Sequence, residues 1–323
     1  MSLMSRIFKR TLKPDIYLDI ARTSELVMVV NHHTYDTKKR LQIETYTLSH
    51  AGLDLKKNAP IKKLLTTGTV YGVTHPEWIT HYIVPEQLTK TYGEKSGAEF
   101  LIHQEKLAAS PTNDFYLTSS FRMDLINQSV ERYKKMGITI DHIISPVQIG
   151  NVSVDKPTYS VWIDQSHSFV CWHVGNQILY SKGFSIGIRD LVSVIADTVS
   201  IDTAAAQKII DKYGIAKHHP EQSVIGKLYA VLQPIASMIT VWEDDHKQYT
   251  YLKHQYHTPT TVHLYGPGAD LLGIEQFFTL TTGKITENNH DQFLDNVVSQ
   301  LPTKASLVDY APLIYTINEE SNI

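Results

Sequence analysis

Two stretches, about half a chain apart, repeat one order of apolar and polar positions. The first reads Tyr17-Leu18-Asp19-Ile20, a short polar turn, then Leu26-Val27-Met28-Val29-Val30. The second reads Val161-Trp162-Ile163-Asp164, another short polar turn, then Phe169-Val170-Cys171-Trp172-His173-Val174. Runs rich in β-branched and aromatic residues favour strands. Each copy therefore predicts a strand ending in Asp, a tight turn with hydroxyl side chains, and a second strand. A third extended run follows each, at 41–48 and 177–184. Two such meanders predict two related lobes, each offering an Asp-bearing turn to a shared cleft.

The remaining pattern fills in an α/β chain. A short helix is expected at 58–65, and a β-rich run at 69–84 that Pro85 ends, because proline cannot donate a ladder hydrogen bond. A helix is expected at 97–109, closed by Ser110-Pro111, and a strand at 114–120. An amphipathic helix follows at 123–136, with Leu125, Ile126, Val130, Tyr133 and Met136 on its apolar stripe and Gly137 as its stop. A strand is expected at 138–144. Helices are expected at 188–199 and 203–213, the second stopped by Gly214. Val224, Leu228, Val231, Ile235, Met238, Ile239 and Trp242 mark one face of a long helix that Pro234 should kink. A strand at 261–265, the turn Gly266-Pro267-Gly268 and a helix at 269–280 complete the pattern. The expected domains are a first lobe at 1–69, an inserted α+β subdomain at 70–147, and a second lobe at 148–323 whose end returns to the first.

Composition narrows the class. A chain of 323 residues with 42% hydrophobic content is long enough for two folded lobes. A net charge of −3 gives no reason to expect nucleic acid as a partner. The single cysteine, Cys171, excludes an internal disulfide and fits a reducing compartment. No run reaches the roughly 18 apolar residues of a membrane span, and the start lacks the pattern of a signal peptide. Arg6, Lys9, Arg10 and Lys13 make the start basic, which suits either a solvated terminus or a contact with an anionic surface.

The Asp turns are the strongest chemical candidates. Magnesium bound to a nucleoside triphosphate takes hard oxygen ligands, one or two of them carboxylates acting directly or through water. Asp19 and Asp164 are the expected metal residues. Phosphates take hydroxyls and backbone N–H groups, and Thr23, Ser24, Ser166 and Ser168 lie in or next to the turns to supply them. Asp and Ser are also common in ordinary β-turns for purely local reasons. Gly266 and Gly268, and likewise Gly183 and Gly187, precede expected helices, where a backbone can approach a ligand closely. Histidine is abundant, but no Cys or carboxylate cluster completes a zinc set. There is no glycine–lysine phosphate loop and no Ser-centred elbow.

In this order the motifs resemble the actin-like ATPase superfamily and, within it, the PilM family of type IV pilus assembly proteins, relatives of the division protein FtsA. The likeness is carried by Asp114-Phe115-Tyr116-Leu117-Thr118-Ser119-Ser120-Phe121, by Val130-Glu131-Arg132-Tyr133 with Gly137, and by Tyr180-Ser181-Lys182-Gly183-Phe184-Ser185-Ile186-Gly187. The segments 204–214, 264–272 and 307–314 continue it, the last where such proteins end with a helix. The resemblance implies an actin-like (ribonuclease H-like) two-lobed fold. Asp19, Thr23 and Ser24 would form a first phosphate loop, Asp164, Ser166 and Ser168 a second, with Gly187 nearby and Gly266 and Gly268 beside the adenosine. ATP or ADP with Mg would be the cofactor. The partner would be the N-terminal peptide of a PilN-like inner-membrane protein, linking on to motor ATPases at the cytoplasmic face of the membrane.

The chain departs from the family at defined positions. Ala21 and Gln165 stand where the loops have glycine, Leu26 where a lysine follows, and Gln207 and Ile210 where the next helix sends charged groups toward the nucleotide. Added Cβ atoms crowd the phosphates and a lost lysine removes a positive charge. Each loss costs about 1–3 kcal/mol in a charge-assisted contact. A scaffold role with at most weak ATPase activity is therefore expected. The alternatives are an FtsA-type ATPase, a degenerate relative that binds no nucleotide from another pilus or type II secretion system, and a sugar or acyl kinase of the same superfamily. The polar end, 318–322, lacks the amphipathic membrane helix a division role would need, and no catalytic carboxylate can be placed for a kinase.

Overall fold

A computed structural model of the chain describes residues 13–21, 25–32, 42–49, 58–85, 100–109, 114–146, 156–174, 177–220, 222–248 and 256–289. The described residues divide into two units, 13–74 with 126–146, and 75–125 with 156–289.

The first unit is built on β1 (Asp15–Asp19), β2 (Glu25–His32), β3 (Gln42–Ser49), β4 (Thr69–Val73) and β8 (His142–Ile144), with α1 (Ala59–Thr67) and α2 (Met123–Lys135). Its sheet runs β3-β2-β1-β4-β8. β1 and β2 pair antiparallel, β2 and β3 likewise, while β1, β4 and β8 are parallel. Ile16, Leu18, Met28, Val30 and Val70 are buried, as are Ile61 and Leu65 of α1 and Ile126 and Tyr133 of α2. Tyr17 is buried too, stacked on Tyr71 at 5.0 Å. β1 is thus apolar on both faces, as central strands of such sheets are. Gly137, at φ 81°, ends α2 in the left-handed region that favours glycine.

The second unit contains β5 (Ile79–Pro85), β6 (Phe100–Ala109), β7 (Asp114–Arg122), β9 (Thr158–Ile163), β10 (Ser168–Val174), β11 (Gln177–Phe184), β12 (Thr261–Tyr265) and β13 (Ile285–Asn288). Its helices are α3 (Ile188–Val199), α4 (Thr203–Tyr213), α5 (Gln222–Gln248) and α6 (Ile274–Thr282). The eight strands form one sheet, β13-β12-β9-β10-β11-β5-β7-β6. Tyr159, Val161, Ile163, Val170 and Trp172 form one core with Leu191 and Ile195 of α3 and Leu228, Leu232, Ile235 and Ile239 of α5. By length and composition α5 would pass for a membrane span. Its buried stripe is instead part of this core, and Pro234 sits on its exposed side.

Several expected elements change. Residues 97–109, expected as a helix from their Gln, Glu, Lys, Leu and Ala, hold the strand β6. Pairing with β7, from Phe100↔Arg122 onward, overrides the weak local preference. The strand expected at 138–144 shortens to β8, and the helix expected at 269–280 begins only at Ile274, after a 3-10 turn at Pro267–Asp270. Gly273, at φ 89°, interrupts it. The stretch 70–147, expected as one inserted subdomain, is shared between the units. β4 and β8 join β1 in the first sheet, while β5, β6 and β7 extend the second beyond β11. The helix expected near 307–314 lies outside the described residues.

Candidate functional site

The first Asp turn follows from parallel pairing in the first unit. Asp19 pairs with Val73, and Val73 with Ile144, so the C-terminal ends of β1, β4 and β8 lie together. Ligands in α/β sheets gather at such ends. Ile20 N–H donates to the Val73 carbonyl at 3.0 Å, which carries the chain one step past the strand. Asp19 is half-buried, and its Oδ1 accepts the Ala21 N–H at 3.1 Å, a local Asx turn. Two side chains of α2 brace the backbone from outside. The Tyr133 hydroxyl donates to the Asp19 carbonyl at 3.1 Å, and Arg132 Nη2 donates to the Ile20 carbonyl at 2.8 Å. Thr23 and Ser24 lie outside the described residues.

The second Asp turn is a four-residue loop, Asp164 to His167, closed by the Asp164 N–H donating to the His167 carbonyl at 2.9 Å. Ser168 pairs with Ile163 on one side and Phe184 on the other, which fixes the turn at the C-terminal end of β9. Asp164 is only 3% exposed. Its Oδ1 accepts the Gln165 N–H at 2.7 Å, and its Oδ2 lies 3.6 Å from Nε2 of His167, itself 9% exposed. The Ser166 hydroxyl is 3.3 Å from Nδ1 of the same ring, and the His75 ring is 5.2 Å away, centre to centre.

This turn also caps a helix. The first N–H groups of α3 point back into it, Ile188 to the Asp164 carbonyl at 3.0 Å and Arg189 to the Gln165 carbonyl at 2.9 Å. Gly187 donates to the Asp190 carboxylate at 2.8 Å. A Cβ on Gly187 would come within 2.6 Å of the Asp164 carbonyl oxygen, so glycine is needed for the turn to reach the helix. Ser168 is fully buried and its hydroxyl donates to the Ile186 carbonyl at 2.5 Å.

The glycine turn lies at the same end of the second sheet, because Tyr265 pairs with Trp162. Gly266 has φ 80°, and a Cβ there would stand 2.6 Å from the Ile163 carbonyl oxygen. Gly268 packs against the Ile163 side chain. Opposite, Glu77 accepts both the N–H and the hydroxyl of Ser185, at 2.6 and 2.8 Å, and Gly183 lies against Pro76.

No protein-family model matches the chain. No curated protein matches it in sequence. Solved structures do. The PilM-PilN type IV pilus biogenesis complex is similar over 94% of this chain and 96% of that one, with 15% identity and a TM-score of 0.56. The chain has the actin-like ATPase fold. MreB5 of Spiroplasma citri bound to ADP is similar over 88% of this chain and 94% of that one, at 11% identity and TM-score 0.49. EutJ, an ethanolamine utilization protein of Carboxydothermus hydrogenoformans, is similar over 88% of each chain, at 12% identity and TM-score 0.41.

Within this actin-like frame the structure brings Asp164, Ser166, Ser168, Gly187, Gly266 and Gly268 to one end of the second sheet, and Asp19 to the corresponding end of the first. Their bonding bears on whether they fit a magnesium nucleotide. At the second turn the helix N–H groups that would meet a phosphate are committed to the turn's own carbonyls, and the Ser168 hydroxyl to Ile186. Gly187, Gly266 and Gly268 admit neighbouring chain rather than open space. The second turn therefore fits a phosphate poorly. Among the described residues no group of three or more His, Cys, Asp and Glu is placed to hold a metal ion. Arg132, Tyr133, His167 and Glu77 are the residues that sequence reasoning missed. Arg132 and Tyr133 were legible as part of a family stretch, but their contact with the Asp19 turn joins positions 112 and 114 residues apart. His167 was visible inside the turn itself, between the two serines.

Proposed function

We propose that this chain is a cytoplasmic, PilM-like scaffold of a type IV pilus or related secretion platform, and that it docks the N-terminal tail of an inner-membrane partner. The single observation that carries the reading is the likeness to the PilM-PilN complex across nearly the whole of both chains. The tail is a short peptide, held by adding a strand or by filling a groove. Motor ATPases are the onward partners, and the chain sits at the inner face of the membrane through its partner.

Nucleotide plays a lesser part in this reading. The Asp19 turn is the half that serves the nucleotide, with a half-buried carboxylate suited to a cation rather than to phosphate itself, on a backbone held by Arg132 and Tyr133. If magnesium accompanies the nucleotide, Asp19 holds it through water, and the ion neutralises phosphate charge. The Asp164 turn serves the fold. Binding without turnover is the expected outcome.

The test is a titration of the full chain with a fluorescently labelled peptide copying the N-terminal tail of the inner-membrane protein encoded beside it. Saturable binding that the same peptide in scrambled order does not reproduce supports the scaffold. Equal response to both peptides, or no response, rejects it.

A further inference from the structure

The second sheet ends at β6, and among the described residues no strand lies beyond it. An edge strand offers a row of backbone N–H and C=O groups that another strand can pair. β6 is long for an edge, with 10 residues. Its far end carries a bulge between Lys106 and Ala108, which discourages pairing beyond Lys106. The ladder with β7 is regular from Phe100 to Lys106, and Phe100 and Leu101 are 40% and 54% exposed.

We propose that β6 docks a second copy of this chain, edge to edge and antiparallel, about a two-fold axis through Gln104. In such a pair directly opposed residues share a face of the sheet, so the axis passes through a residue rather than between two. Centred on Gln104, the register sets Ile102 opposite Lys106 and His103 opposite Glu105, each pair formed twice. His103 and Glu105 are both exposed and have room to meet. Centring one residue later sets two Glu105 carboxylates against each other, and centring one residue earlier sets the two His103 rings together and Leu101 against Glu105. Unlike groups opposite one another stabilise a cross-strand pair and like charges oppose it, so of these three registers the side-chain pattern favours Gln104. Gln104 is itself fixed, donating to the Thr118 hydroxyl at 3.0 Å. This surface depends on neither the pilus nor the nucleotide reading.

The test is sedimentation velocity of the full chain over a concentration series, with circular dichroism to confirm that each variant folds. The wild type should show a reversible monomer–dimer equilibrium. Glu105→Lys should weaken it roughly tenfold, since both His103–Glu105 contacts are lost. The charge swap H103E/E105H restores both pairs and should recover the wild-type constant. A wild type that stays monomeric throughout overturns the proposal. So does a folded Glu105→Lys variant that dimerises as tightly as the wild type, or a folded swap that fails to recover.

Discussion

The turn at Asp19 and the turn at Asp164 start from closely similar local sequence, an apolar strand, an Asp and a few polar residues, yet they are held in different ways. The first is braced from outside by α2, whose Arg132 and Tyr133 bind the two backbone carbonyls at its start. Its carboxylate stays half-buried. The second is closed on itself and on the helix behind it. Its carboxylate is buried beside His167, and its carbonyls cap α3. The difference comes from residues outside the repeat, the α2 pair in one case and Gly187 in the other. A repeated pattern predicts a repeated backbone path, but the neighbours decide what holds each turn.

The largest expected effect breaks the closed turn. Gly187→Ala sets a Cβ against the backbone of Asp164 and Gln165, which cannot move aside as a flexible side chain would. A loss of about 3 kcal/mol is expected in urea denaturation. Ala21→Gly at the first turn should cost no more than about 1 kcal/mol, mostly chain entropy. Equal effects at the two sites would contradict the contrast.

Acid should weaken the unit that holds the closed turn. Burial pushes the pKa of His81 down to about 4, and its ring lies 2.8 Å from the Ser181 hydroxyl, where β5 meets β11. His81 is neutral in the fold, whereas the unfolded chain takes up the proton near pH 6.5. The contribution is complete above about pH 6.5 and is lost as pH falls toward 4, by about 3 kcal/mol in all. Stability measured against pH should show this slope, and His81→Gln should flatten it. An unchanged slope in the variant assigns the acid sensitivity elsewhere.

A smaller effect is expected at the first turn. Arg132→Met keeps much of the side-chain volume but removes a charge-assisted bond to the Ile20 carbonyl. About 1.5–2 kcal/mol should be lost. Amide exchange should speed up at Ile20 and Ala21 and stay unchanged at Gln165 and Ile188. Matching changes at both turns would remove the distinction between them.

Most of the frame was legible in the sequence because it rests on period and punctuation. The strands of both meanders, and α2 and α4 with their stops at Gly137 and Gly214, follow from apolar runs and glycine chemistry that act locally. β6 was not legible, since its residues favour helix and only the distant β7 makes it a strand. The short strand β8 and the late start of α6 turn on single hydrogen bonds and on the positive φ of Gly273, details that pattern does not encode. At the site, the Asp residues and glycines were legible as types. What they bind was not. Gly187 faces Asp164 and Gln165, and Gly266 faces Ile163, so residues read as making room for a ligand make room for the chain itself. Ser168, read as a phosphate hydroxyl, is buried and bound to Ile186.

The most direct test of the account compares thermal unfolding of the wild type, Asp19→Ala and Asp164→Ala, each with and without excess Mg·ATP. Ligand that binds only the folded state raises the melting temperature. A rise of a few degrees is expected for the wild type and for Asp164→Ala, the latter from a lower starting point, and no rise for Asp19→Ala. A wild type that nucleotide does not move, or an Asp19→Ala variant that keeps the full rise, would contradict it.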